Sequence, residues 1–264
     1  MDDPIETQMA ARFLRDTARH ELTVLRDDGL YRHLRLRASR SFAWFELVTW
    51  PGALTIRGDM GSYTFSRDPD MFDFFRRSSW QGAPNFQYWD EKVDAADRCG
   101  VREYSEDELR RHITEDVSAH AEADLDGRLR ACAKKLGTIP ARLPEDAAAA
   151  CRAAHADYMD GLREELDGEL LGDYPAYCLQ DEHDAIAGVR QFSYRLDGAP
   201  ASEQPFGFDT SDWRLDTYSA QYLWCCHAVL LGIRLYDRAR RADRHRATRR
   251  RIRDARHHAM GRTR

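Results

Sequence analysis

Between Glu21 and Arg67 apolar and polar residues alternate in short runs divided by turn residues, and this pattern constrains the fold more than any other feature of the chain. Leu34 and Leu36 alternate with Arg35 and Arg37, Leu54 and Ile56 with Thr55 and Arg57, and Tyr63 and Phe65 with Thr64 and Ser66. Phe42–Trp50 is aromatic and β-branched, as strands prefer. Asp27-Asp28-Gly29, Pro51-Gly52 and Gly58-Asp59-Met60-Gly61 supply the turns. Connections this short leave no room for a crossover helix, so the stretch predicts an antiparallel meander rather than βαβ units.

On either side the period is helical. Residues 5–19 suit a short amphipathic helix with Met9, Phe13 and Leu14 on one side. Asp68-Pro69 offers an N-cap and a first-turn proline for a helix carrying Met71, Phe72, Phe74 and Phe75. Residues 86–96 suit another helix, and Ser105-Glu-Asp-Glu108 is a capping box before a third. Residues 106–171 read as acidic helix broken at Pro140 and Pro144, with a strand expected at 189–196. The last helix is expected to begin near Asp216 and to be mostly buried, with Tyr222, Cys226, Val229 and Ile233 spaced at helical intervals. The fold class expected is α+β, an N-terminal antiparallel β-meander packed against helices with a mainly helical remainder. The expected regions are 1–100 with the sheet, 101–212 acidic and helical, 213–240 the core helix, and 241–264 an Arg-rich tail.

The net charge of −5 conceals a segregation. Arg238–Arg264 holds 12 arginines and two acids, a net +10, so residues 1–237 carry −15. An acidic body with a basic tail argues against a uniformly basic nucleic-acid binder. No apolar run reaches the roughly 18 residues a bilayer span needs, the longest being the 12 residues of 222–233. Met1-Asp-Asp-Pro4 is acidic and does not read as a signal peptide. The six cysteines, at 99, 132, 151, 178, 225 and 226, contain no C-x-x-C pair, so no zinc site is expected and reduced thiols in a cytoplasmic protein are.

By period-two alternation His33, Arg35 and Arg37 share a strand face, which Arg57 and Arg67 on neighbouring strands can join. Clustered guanidiniums bind phosphate or carboxylate in a bidentate way, and Trp44 or Trp50 can stack on a base. This predicts an anion or nucleotide site, against the simpler reading of a solvated face paired to acids. Asp59 can hold a metal or a substrate hydroxyl, or serve only its turn. Tyr88 and Trp89 suit either a pocket rim and partner surface or the edge of a core. His227 reads as a core histidine; a Cys226 nucleophile would need a second histidine such as His33 nearby. His155 with Asp157, and His183 with Glu182 and Asp184, lack the spacing that puts two metal ligands on one helix face. No metal or cofactor is expected from these patterns, and they single out no catalytic residue.

Asp28-Gly-Leu-Tyr-Arg-His-Leu34, Thr49-Trp-Pro-Gly-Ala-Leu-Thr-Ile-Arg-Gly-Asp-Met-Gly-Ser-Tyr-Thr-Phe-Ser-Arg67, Asp70-Met-Phe-Asp-Phe-Phe75, Tyr88-Trp89-x-Glu-Lys92 and Tyr222-Leu-Trp-Cys-Cys-His-Ala228 before Gly232-Ile233 and Tyr236-Asp237 form an ordered set. Together they resemble a family of uncharacterised accessory proteins encoded by tailed bacteriophages, prophages and other mobile elements. The resemblance spans about residues 20–97 and 213–237. It implies a phage context in the host cytoplasm and no catalytic residue.

The function expected is that of a phage-associated accessory protein, leaning away from catalysis, that binds a host protein, a nucleotide or nucleic acid, for instance in counter-defence. The rivals are a nucleotide- or phosphate-ester-processing enzyme using Asp59 or Glu46 with His33, and a virion structural or assembly protein. Arg238–Arg264 is expected either to make weak, sequence-independent nucleic-acid contacts or to lie as a solvated extension touching the acidic body.

Overall fold

The computed structural model describes residues 4–39, 42–173, 175–196 and 204–261, with the side chains of Pro4 and of 254–261 outside it. The chain forms two units, residues 1–103 with 218–264, and residues 104–217. It crosses from one to the other at β7 (Arg102–Tyr104) and β8 (Asp216–Tyr218).

The first unit begins with α1 (Pro4–Thr17) and continues into β1 (Glu21–Asp28), β2 (Tyr31–Arg37), β3 (Phe45–Trp50), β4 (Ala53–Gly58) and β5 (Gly61–Ser66). Then come α2 (Met71–Ser78), α3 (Phe86–Asp90), β6 (Val93–Ala96) and, after the second unit, α7 (Ala220–Gly261). The six strands lie in sequence order in one wholly antiparallel sheet, so the meander expected from the alternation is present. Leu34, Leu36, Leu47, Leu54, Ile56, Tyr63 and Phe65 face a shared core with Phe72, Phe75 and the apolar half of α7. The opposite face carries the intervening polar residues.

Three boundaries differ from the sequence expectation. The cap of α2 is Asp70, whose carboxylate accepts the Phe72 amide at 2.9 Å, and not Asp68. Arg32 clamps Asp70 in two hydrogen bonds of 2.8 and 2.9 Å from β2, so a tertiary contact selects among nearby acids. Residues 86–96 are not one helix: α3 ends at Asp90, and 93–96 turn into β6, which pairs Val93, Ala95 and Ala96 with Phe65, Thr64 and Tyr63. The backbone groups of β5 find there the partners that an isolated helix would have left unused. The last helix starts at Ala220, after β8, where Ser219 Oγ accepts the Tyr222 amide at 3.3 Å.

The second unit is helical. α4 (Glu106–Lys135) is capped by Ser105 on the Glu108 amide, as the capping box predicts. α5 (Glu145–Leu166) follows the breaks at Pro140 and Pro144. α6 (Glu182–Gln191) occupies part of the stretch where a strand was expected; Asp181 caps it on the Asp184 amide, and this local cap outweighs the β-branched and aromatic residues that favour a strand there. Leu109, Ile113, Leu162, Leu166, Val189 and Phe192 make this unit's core.

No helix among the described residues is long and apolar enough to cross a membrane.

Candidate functional site

The polar face of the sheet holds a buried carboxylate. Antiparallel register puts Arg35 opposite Glu46 and Glu46 opposite Arg57, a cross-strand row over β2, β3 and β4. Directly opposed residues have Cβ atoms about 5 Å apart, within reach of long side chains. Arg35 Nε donates to Glu46 Oε1 at 2.7 Å. His33 Nε2 lies 3.1 Å from Oε2, inside ion-pair range but off the line of a hydrogen bond, and Arg57 Nε stands 4.0 Å from the same oxygen. The Glu46 side chain is only 7% exposed. Burial pushes its carboxyl up, but Arg35 and His33 outweigh that and hold it below the ordinary carboxylate range.

Around Glu46 opens a cleft of about 940 Å³, lined by His33, Arg35, Arg37, Trp44, Arg57 and the Phe42 rim. Arg57 lies 5.6 Å from the Trp44 ring centre, in cation–π range. Phe42 is 91% exposed at the rim. The Arg37 side chain is exposed and makes no hydrogen bond or ion pair among the described residues, its backbone being paired with β1. With Arg35 committed to Glu46, the guanidiniums open to a ligand are those of Arg37 and Arg57.

The rim has a defined cause. Ala43 sits at φ 72°, a backbone region that a residue with a Cβ seldom occupies. It is held from both sides, since its N–H donates to Asp59 Oδ2 at 2.9 Å and its carbonyl accepts from His20 Nε2 at 2.8 Å. Asp59 therefore shapes the lip through the backbone, and its nearest role is structural. Gly58 permits the same approach: a Cβ there would come within 2.1 Å of the Trp44 carbonyl oxygen and 2.8 Å of the Phe45 Cα. Gly58→Ala is expected to cost about 1–3 kcal/mol, the usual range for overpacking, and to displace Trp44; a thermal melt together with Trp44-sensitive fluorescence would register both.

The other sequence candidates lie elsewhere. Arg67 follows β5, where its N–H donates to the Gly52 carbonyl, and does not line the cleft. Trp50 is 40% exposed at the far end of β3, opposite Ala53, and does not line the cleft either. Tyr88 packs against Phe74, with the Lys92 ammonium 4.8 Å from its ring. Trp89 is wholly buried, edge-on to Phe75, with its indole N–H donated to Ser78 Oγ at 2.8 Å, so it does not stand at a surface. Cys226 is buried on the core side with its thiol pushed well up by burial, which removes the activated thiolate a nucleophile needs. His155 Nδ1 contacts Asp124 Oδ2 at 2.8 Å, and that carboxylate is also bound by Arg128 at 2.7 Å. No group of three metal-ligating side chains occurs among the described residues.

Sequence reading missed the Arg32–Asp70 clamp, because Arg32 falls on the apolar side of β2. Its guanidinium lies 4.7 Å from the Phe72 ring centre and is buried with it. Its parity with Leu34 and Leu36 is the signal that sets it apart from the solvated arginines at 35 and 37; its partner Asp70 needed the tertiary structure.

Comparison with protein-family models, with curated proteins and with solved structures finds no match to this chain.

Proposed function

We propose that the protein is a phage-associated accessory protein that acts by binding, and that the sheet-face cleft takes a phosphate-bearing small molecule of the nucleotide class. The observation that carries this is the convergence of Arg37 and Arg57 with Trp44 on one cleft. Two guanidiniums offer forked donors to a phosphate. The indole and the exposed Phe42 ring offer faces for a base. The sequence resemblance suggests a phage or prophage context, and counter-defence in the host cytoplasm is the role we propose within it.

The test is calorimetric titration with nucleoside mono- and triphosphates, cyclic nucleotides and inorganic phosphate. Arg57→Ala is expected to weaken binding about tenfold or more, since hydrogen bonds to charged groups contribute about 1.5–3 kcal/mol. Glu46→Gln should strengthen it, because the neutral amide removes the anion that competes for Arg35 and Arg57. Unchanged affinity in both variants would reject the cleft as the site.

A second reading rests on the 3.1 Å approach of His33 Nε2 to Glu46 Oε2. A carboxylate and an imidazole at that distance, beside guanidiniums, have the parts for acid–base attack on a phosphate ester. Steady turnover of any nucleotide in the panel, abolished by Glu46→Gln, would favour this enzyme.

A further inference from the structure

The α7 helix has 42 residues, and its two halves differ in kind. Tyr222–Tyr236 is set into the core, whereas every residue from Arg240 to Arg253 is exposed. The stretch 238–253 holds nine arginines and a single acid, Asp243. It does not fold back as a loose tail. At its root it is tied to the body, where Arg240 pairs with Asp27 at 3.0 Å and Arg76 pairs with Asp237 at 2.7 Å. There Arg76, Arg240, Arg241 and Arg244 line a notch of about 410 Å³.

The arrangement of charge around the helix selects a partner. His245, Thr248 and Ile252 recur at i, i+3 and i+7 and form a short uncharged row on one face, which Arg241 and Arg238 continue toward the root of the helix. Arg244 and Arg251 flank this row on one side and Arg249 and Arg253 on the other, while Arg240, Arg246 and Arg250 lie around the far face with Asp243, so the exposed half is cationic on every side. A slender helix that carries arginines on both sides of each face can meet two rows of phosphates at once. The B-DNA major groove, about 12 Å wide, admits a helix in that way. From Arg238 to Gly261 the helix runs about 36 Å at 1.5 Å per residue, close to one duplex turn.

Other polyanions fit less well. The stretch 238–261 contains no Phe, Tyr or Trp, so it offers no stacking platform for a single strand. Its large apolar residues are Ile252 and Met260 alone, which leaves no apolar face for a membrane surface. The major groove of A-form RNA is too narrow and deep to be entered.

We infer that the projecting half of α7 is a sequence-independent binding element for double-stranded DNA, seated in the major groove with its arginines on the phosphates of both strands. It is a second site, distinct from the cleft.

The experiment is fluorescence anisotropy of the full chain with a labelled 24-base-pair DNA duplex of arbitrary sequence, its single strand, and the matching RNA duplex. The DNA duplex is expected to bind most tightly. Raising salt from 50 to 200 mM should weaken binding about a thousandfold if six phosphates are neutralised. Arg244→Ala, Arg249→Ala, Arg251→Ala and Arg253→Ala together should flatten that salt dependence by about four phosphates, with the melting temperature unchanged. Ala247→Pro keeps every arginine but breaks the rod, so it should abolish the preference for the duplex while leaving weak general binding. Equal binding of the three nucleic acids, an intact duplex preference in Ala247→Pro, or full binding by the fourfold variant would each overturn the inference. Nucleotide binding in the cleft should be unaffected by either variant, which separates this result from the fate of the cleft.

Discussion

Replacing Trp224 with alanine is expected to lower folding stability by about 3–5 kcal/mol, the range for removing a fully buried aromatic side chain. Trp224 is 0% exposed and stands where three elements meet. Its ring lies edge-on to Phe13 of α1 at 5.1 Å and to Phe45 of β3 at 5.6 Å, and its indole N–H reaches Asp16 Oδ2 at 3.2 Å. Alanine would leave a cavity between the sheet and both helices, lose two edge-to-face contacts, and leave Asp16 without that donor. Because α1 is held largely through this contact region, its helical content should fall first. Urea unfolding measures the loss, and Trp50→Ala serves as the control. Trp50 is 40% exposed at a strand end, so its removal should change stability by about 0.5 kcal/mol or less. Similar losses in the two variants would show that the core does not centre on Trp224.

Acidification from pH 6.5 to pH 4 is expected to remove about 2–3 kcal/mol of stability through His227 alone, since a tenfold change in a protonation equilibrium is worth roughly 1.4 kcal/mol. His227 stacks on Phe13 at 5.4 Å and meets Phe86 edge-on at 5.6 Å. Its Nε2 is buried with no hydrogen-bond partner among the described residues. Burial, with a smaller contribution from Arg234, pushes its pKa down to about 4. The unfolded chain therefore takes up a proton near pH 6.5, and the native state does so only near pH 4. Between those values the unfolded state binds more protons, so stability rises with pH; above the window the group contributes nothing. Glu46 and Asp70 act at lower pH. Burial raises both, but their basic partners outweigh it and leave both lowered, so their stabilisation persists down to the carboxylate range and is lost below it. His227→Leu should flatten the pH 4–6.5 limb of a urea-midpoint profile and leave the steeper fall below it. An unchanged limb in that variant would assign the proton uptake to another group.

The readable part of the fold was the part governed by neighbours in sequence. In β2, Leu34 and Leu36 are wholly buried while His33 and Arg35 face the cleft, as two-residue alternation requires. Ser105 caps α4 because Ser-x-x-Glu satisfies free helix amides locally. His33, Arg35, Arg37 and Arg57 reach one cleft because period-two patterning and short turns restrict the register. Arg67 does not: it has the parity of Tyr63 and Phe65, which face the core, so the alternation of β5 itself turns it away from the cleft face. The central position of Glu46 required the register itself, which pairs it with Arg35 on one side and Arg57 on the other. Trp89 and Tyr88 are adjacent in sequence, yet one is buried and one half-exposed, because a single helical turn against Phe75 admits only one of two neighbouring rings.

By itself, then, the sequence determined strand alternation, helix caps, the breaks at Pro140 and Pro144, and the separation of an acidic body from an arginine-rich extension. All of these depend on residues within about one helical turn or one strand pair of each other. The tertiary structure decided which acid caps α2, that residues 93–96 complete the sheet, and that Glu46 is enclosed by three basic groups. Each of those turns on groups brought together from distant segments, where an unpaired amide or a buried charge takes whichever partner the closed chain puts in reach.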